Sequence, residues 1–168
     1  TYHKPTYERV HLNGPKRDYE YHTTAMFRAR EAGIDDVGIG VLYGLYDFKY
    51  ETISMIRYAD ALEKITGVGP HTISVPRLRA AENVSLKDYP DGDFKKLVAV
   101  LRLAVPYTGL ILSTREEAEL RDEIIKLGIS QVSSGSCTGV GGYSEREKDS
   151  KEKPQFELGD NRSPLEMI

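Results

Sequence analysis

Apolar positions along this chain follow two alternating periods, one helical and one extended. The clearest helical stretch runs from Asp93 to Val105, where Phe94, Leu97, Val98, Leu101 and Val105 make one buried stripe. A second runs from Glu51 to Ile65, with Ile53, Ile56, Ala59 and Leu62 on one face and Gly67 as its stop. An earlier helix is expected from Pro15, whose missing N–H suits a first helical position, to about Glu31. A later one is expected from Thr114, with Glu117 at capping-box spacing, to Gly128.

Between these helices lie short apolar runs at Val37–Leu42, Thr72–Val75, Gly109–Leu112 and, more weakly, Ile129–Val132. Three helices end in the same phrase, a glycine and then an apolar residue: Gly33-Ile34, Gly67-Val68 and Gly128-Ile129. Glycine relieves the left-handed turn that closes a helix, and the apolar residue is expected to pack back on it. Strands alternating with helices imply right-handed crossovers and a parallel sheet, hence an α/β fold.

The first three strands start roughly 35 residues apart, about one βα unit each. A complete (β/α)8 barrel takes about 250 residues, so 168 residues hold a partial barrel with a tail. An open doubly wound sheet fits the same periodicity. The chain opens on Thr1, on what reads as a strand end, so a fragment is expected. Residues 1–143 read as the barrel part and 144–168 as a polar loop and C-terminal segment. Eight of the ten residues from Ser144 to Lys153 are charged with cancelling signs, a solvated loop. Phe156, Leu158, Leu165 and Ile168 then give an apolar segment that could dock.

Composition narrows the function. The 23 Lys+Arg against 26 Asp+Glu give a net charge of -3, which argues against a nucleic-acid footprint or a membrane surface. Hydrophobic residues at 39% are enough for a core. No apolar run reaches the roughly 20 residues of a membrane span, and no signal peptide is visible. The single cysteine, Cys137, excludes an internal disulfide and an all-thiolate metal site built from this chain alone. It fits a reducing, cytoplasmic setting.

In parallel α/β folds ligands collect at the carboxyl ends of the strands. Gly38 and Gly40 on the first strand let a ligand approach the backbone, although the spacing is not that of a dinucleotide fingerprint. The second strand ends at Pro76, which cannot continue a central ladder, and Arg77 emerges beside it. His71 enters that strand after Gly-Pro; it is either hydrogen-bonded locally or a metal ligand. Arg115, just after Ser113 and Thr114, forms either an anion clamp with the helix N-terminus or an ion pair with Glu116 or Asp122. The small-polar stretch 133–143, with Ser134 and Ser136, reads as a cradle for phosphate or carboxylate, or as a plain loop. Cys137 has no neighbouring His to activate it.

Four phrases carry a resemblance: Gly33-Ile-Asp-Asp-Val-Gly-Ile-Gly40, Gly69-Pro-His-Thr-Ile-Ser-Val-Pro-Arg77, Leu112-Ser-Thr-Arg-Glu116 and Ser134-Gly-Ser-Cys-Thr-Gly-Val-Gly-Gly-Tyr143. In this order they resemble the C-terminal half of the radical S-adenosylmethionine (SAM) tyrosine lyases, including the region called the biotin and thiamin synthesis associated domain. The second phrase favours the hydrogenase-maturation type over the thiamine-biosynthesis type. The resemblance implies strands five to eight of a (β/α)8 barrel, and cleavage of tyrosine to p-cresol and dehydroglycine. In the hydrogenase type, dehydroglycine becomes CO and cyanide. The cofactors implied are SAM and a 4Fe-4S cluster. Gly38 and Gly40 would lie against SAM, with Val75 and Pro76 near its adenosine. Arg115 would hold the substrate carboxylate, helped by Ser134 or Ser136, and His71 would hold a labile iron of an auxiliary cluster. The cysteine motifs for both clusters are absent, so this chain alone is expected to bind no cluster stably and to be inactive. Its expected partners are the missing N-terminal half-barrel, or itself, through an open edge and an apolar interior.

Overall fold

A computed structural model describes residues 1–78, 89–138 and 158–167. Three short helices come first: α1 (Lys4–Val10), α2 (Tyr19–Thr23) and α3 (Ala25–Glu31). Then β1 (Gly38–Gly40), α4 (Phe48–Thr66), β2 (Thr72–Ser74), α5 (Asp91–Ala104), β3 (Gly109–Leu112), α6 (Ala118–Ile125) and β4 (Gln131–Val132) alternate. A 3₁₀ turn at Pro164–Met167 closes the described chain.

The strands are parallel and run in the spatial order β1-β2-β3-β4. That order excludes the doubly wound alternative, which needs a point where strand order reverses. Sequential right-handed crossovers keep every linking helix on one face of the sheet. Burial agrees: Ile39, Val41, Ile73, Val75, Leu110 and Leu112 are buried in one cluster with Met55, Phe94, Val98, Leu101 and Ile124 from the helices. The alternate residues Gly38, Gly40, Thr72, Ser74, Gly109 and Ile111 face the other way and keep solvent access. The result is part of a (β/α)8 barrel with its inward face open. This face is small and polar, with Ile111 its one large apolar group among the residues just named. The expected apolar interior is therefore not what these strands present.

The helix α5 matches its sequence pattern: Phe94, Leu97, Val98, Leu101 and Val105 are all buried. Each such side chain contributes about 1.5–3 kcal/mol by leaving water. On α4 Ala59 and Leu62 are buried and Ile56 packs on the core as expected, joined by Glu51, Thr52 and Met55, while Ile53 is 54% exposed. The rotation has a polar cause. The Glu51 carboxylate accepts hydrogen bonds from the Tyr2 N–H (2.7 Å) and the Thr1 hydroxyl. Thr52 bonds the buried Tyr43 hydroxyl (3.2 Å). Those two residues must face inward, and Ile53 is turned out.

Residues 1–3 carry no strand pairing within the described residues, and α1 starts at Lys4. Pro15 does not start a helix; it lies in a turn after Gly14, and Asp18 caps α2 by accepting from the Tyr21 N–H (2.9 Å). Gly33, Gly67 and Gly128 all have positive φ, as their helix-ending role requires. Of the apolar residues after them, Ile129 packs on the core, but Ile34 and Val68 are more than half exposed. The tail docks at Asp160 and Arg162 through charge, with Leu165 85% exposed. The expected loop from Ser144 to Lys153, Phe156 and Ile168 lie outside the described residues.

Candidate functional site

Each strand delivers its C-terminal residue to one rim of the sheet. β2 ends at Ser74, yet pairing to the preceding segment goes on past Pro76: its carbonyl accepts from the Tyr43 N–H (2.9 Å), and Tyr43 bridges Arg77. Val75 is fully buried on the helix side. Arg77 turns back into the protein instead of facing a ligand. Its guanidinium donates to the buried Glu116 carboxylate, to Tyr89 O (2.9 Å) and to Asp91 (2.8 Å), and lies 4.6 Å from the Phe94 ring centre. Burial works against its charge, but hydrogen bonding and the negative charge of Glu116, with Asp91, outweigh this and raise its pKa.

The exit of β3 departs most from the sequence reading. The helix does not start at Thr114. Its first residue is Ala118, and Glu117 at the N-cap position makes no side-chain capping bond. The reason is tertiary: the Thr114 carbonyl accepts from both Gly159 N (3.0 Å) and Asp160 N (3.1 Å), and Glu116 is held by Arg77. Arg115 thus sits in a loop ahead of the helix and not in its first turn. Its own N–H reaches Ser113 Oγ at 3.3 Å. Glu116 pairs with Arg77, and Asp122 with Arg162.

The exit of β4 leads into Ser133–Thr138. Ser133 N bonds Leu112 O (3.0 Å), and Gly135, at φ 55°, donates its N–H to Arg162 O (2.9 Å). Ser134 and Ser136 are half-buried in this loop, and Cys137 is exposed. Since Leu112 pairs with Val132 across the ladder, the Arg115 loop and the serine loop leave neighbouring strand tips. Residues 139–143 lie outside the described residues.

Gly38 and Gly40 border a cleft of about 260 Å³ at the free edge of β1, shared with Tyr2, Tyr7, His22 and Tyr58. A Cβ on Gly38 would stand 2.6 Å from Thr72 Oγ1, and one on Gly40 would stand 2.8 Å from Ser74 O. The neighbouring strand's main chain already demands glycine at 40, whereas at 38 the close atom is a side-chain hydroxyl that can turn away. His71 is not brought to the carboxyl rim. It precedes β2 at the opposite end of the sheet, with an exposed ring whose Nδ1 is 3.7 Å from Asp36 Oδ1. Among the described residues no three His, Cys, Asp or Glu side chains gather as a metal site, so His71 can supply one ligand to a group held mainly by other residues.

Sequence reasoning missed the network beneath the rim. Arg121 is wholly buried, donates to Asp160 Oδ2 (2.5 Å), and donates to Ser133 O. Arg162 reaches both Asp160 and Asp122 (2.8 Å each). Hydrogen bonding from Arg162, with Arg121 adding to it, holds the Asp160 carboxyl down to about 2. The available signal was Arg121 itself, a charge between Leu120 and Ile124 on the apolar side of α6.

The Biotin and Thiamin Synthesis associated domain matches residues 74–168. The 2-iminoacetate synthases of Escherichia coli and Salmonella typhimurium are each 34% identical over 98% of the chain, which spans 44% of either relative. A crystal structure of HydG, described as a maturase of the FeFe-hydrogenase, superposes with a TM-score of 0.91 at 64% identity, covering all of this chain and 37% of that one. HydG from Carboxydothermus hydrogenoformans gives 0.88 at 48% identity, over 99% of this chain and 38% of that one. The chain therefore spans less than half the length of these relatives, and with its strand order, its open inward face and this match it belongs to the Biotin and Thiamin Synthesis associated domain family.

Proposed function

We propose that this chain is the substrate-side part of a radical SAM tyrosine lyase of the hydrogenase-maturation type, cleaving tyrosine to p-cresol and dehydroglycine as the source of CO and cyanide. The observation that carries this reading is the pair of adjacent strand-tip loops bearing Arg115 and Ser134/Ser136 at one rim of an open half-barrel. The 64% identity to HydG favours the hydrogenase type over the 2-iminoacetate synthase of thiamine biosynthesis. Residues 1–143 supply the barrel half, 144–168 the loop and docked segment, and the setting is cytoplasmic. Among the described residues no helix is long and apolar enough to cross a membrane.

When bound with a reduced 4Fe-4S cluster, SAM would supply the radical that starts the cleavage. The inward residues fit an adenosine better than a charged group, because Gly38, Gly40, Thr72, Ser74 and Pro76 carry no charge. Pro76 offers its half-buried ring, since its carbonyl is taken by Tyr43. Val75 contributes only by holding this strand end in the core. Arg115 holds the substrate carboxylate with its planar fork, and the Ser134 or Ser136 hydroxyl adds a hydrogen bond. His71, at the far rim, would give one imidazole nitrogen to an iron of an auxiliary cluster. The partner is the N-terminal half-barrel, and the chain is inactive without it.

Joining this chain to an N-terminal half that carries C-x3-C-x2-C should give p-cresol from tyrosine, and Arg115→Ala in that protein should raise the KM for tyrosine. The chain alone, reconstituted with iron and sulfide, should show no visible charge-transfer band. Tyrosine cleavage by the chain alone, or an unchanged KM in Arg115→Ala, would overturn the assignment.

A further inference from the structure

The segment 158–162 touches both strand-tip loops at once. On one side, Gly159 N and Asp160 N donate to Thr114 O. A Cβ on Gly159 would lie 2.5 Å from Glu116 C and 2.8 Å from Arg115 O, so this residue seats directly against the main chain that carries Arg115. On the other side, Asp160 fixes the Arg121 guanidinium, which reaches Ser133 O, and Arg162 O receives Gly135 N–H at 2.9 Å. Arg162 N donates to Asp160 Oδ1 (2.9 Å), which makes the segment one rigid bend. Neither loop is fixed by regular structure at these points, because β4 ends at Val132 and α6 begins only at Ala118.

We propose that Gly159 and Asp160 are positioning residues that set the spacing between the Arg115 loop and the Ser134–Ser136 loop, and so tune the grip on an amino-acid carboxylate. This rests on the reading that those two loops hold the substrate. An alanine at 159 must displace the Arg115–Glu116 main chain, since its own N–H is tied to Thr114. A neutral side chain at 160 releases Arg121, and with it the Ser133 carbonyl. Both changes alter loop spacing without replacing a side chain assigned to the substrate.

Two measurements on Gly159→Ala and Asp160→Asn test this. Amide hydrogen exchange should lose protection at Ser133 and Gly135 while Ile73 and Leu110 keep theirs. In the polypeptide that joins this chain to its cluster-binding half, the KM for tyrosine should rise about tenfold or more, as expected for a misplaced contact, with the KM for SAM unchanged. Gly92→Ala, where a Cβ meets open space, is the control and should change neither. Unchanged protection in both variants would overturn the proposal, and so would a parallel rise in both KM values. If Asp160→Asn does not fold, Gly159→Ala decides alone, because it keeps every charge. Arg115→Ala in the same assay reads the parent assignment separately: an unchanged tyrosine KM there would sink the carboxylate site, while exchange still shows whether 158–162 spaces the loops.

Discussion

Arg121 and Asp160, 39 positions apart in the chain, form an ion pair with both side chains shut off from solvent. The pair is not left to Coulomb attraction alone. Arg121 also donates to a main-chain carbonyl, and Asp160 accepts from the Arg162 N–H and guanidinium. Those extra hydrogen bonds offset the cost of taking two charges out of water.

Removing one partner should therefore be severe. Asp160→Ala leaves the Arg121 guanidinium buried without its counter-charge, and a loss of about 3–5 kcal/mol is expected. Chemical denaturation of this variant beside the parent measures it. A loss below about 1 kcal/mol would show that water reaches Arg121.

The same pair sets an acid limit. The Asp160 carboxyl is depressed from 3.8 to about 2, with Arg162 as the main cause. Its contribution is fully present above pH ~3.8, the unfolded value, and is lost as pH falls through about 2. Asp122, also lowered by Arg162, adds in the same direction. Denaturation midpoints should hold steady between neutrality and about pH 4, then drop steeply. In Asp160→Asn that acid-side drop should be shallower, and an identical slope would contradict the assignment.

The two helix faces predict opposite behaviour for two apolar residues. Leu101 is fully buried on α5, and Leu101→Ala should cost about 2–5 kcal/mol. Ile53, on the outer face of α4, should change stability by no more than about 0.5 kcal/mol when replaced by Ala. Comparable losses at both sites would mean that α4 is turned as its apolar spacing alone suggests.

Gly40→Ala tests the strand packing at the inward face. Its Cβ would meet Ser74 O at 2.8 Å, main chain that cannot swing away, and a cost of about 1–3 kcal/mol is expected. Gly92→Ala, in the first turn of α5 with open space around it, should be neutral or stabilising by about 0.5–1 kcal/mol. Thermal melts of the two variants separate the cases.

How far the sequence could be read depended on where each residue found its partner. The bounds of β3 and the stripe of α5 were legible because local period and burial agree there. The α6 start was not, since the Thr114 carbonyl is captured by Gly159 and Asp160, more than 40 residues downstream. On α4 Ile53 alone was misplaced, for a similar reason: Glu51 turns inward to meet Tyr2. Arg115, Ser134 and Ser136 were singled out by the rule that parallel strands aim their tips at one rim, and the loops that carry them leave neighbouring strands. His71 obeys no such rule and stands at the other end. Arg121 and Asp160 escaped notice because a charge on a helix is ordinarily solvated, and their complementarity exists only once the tail has folded back.

The open inward face has a consequence for assembly. Thr72, Ser74 and the glycines beside them keep solvent access, so the inward face can stay wetted until the proposed N-terminal half closes it. Closure would then release water held by hydroxyls and main chain, with little oily area to bury. Its driving force would come from ladder bonds along the β1 and β4 margins, and its heat-capacity change should be small for the surface that disappears.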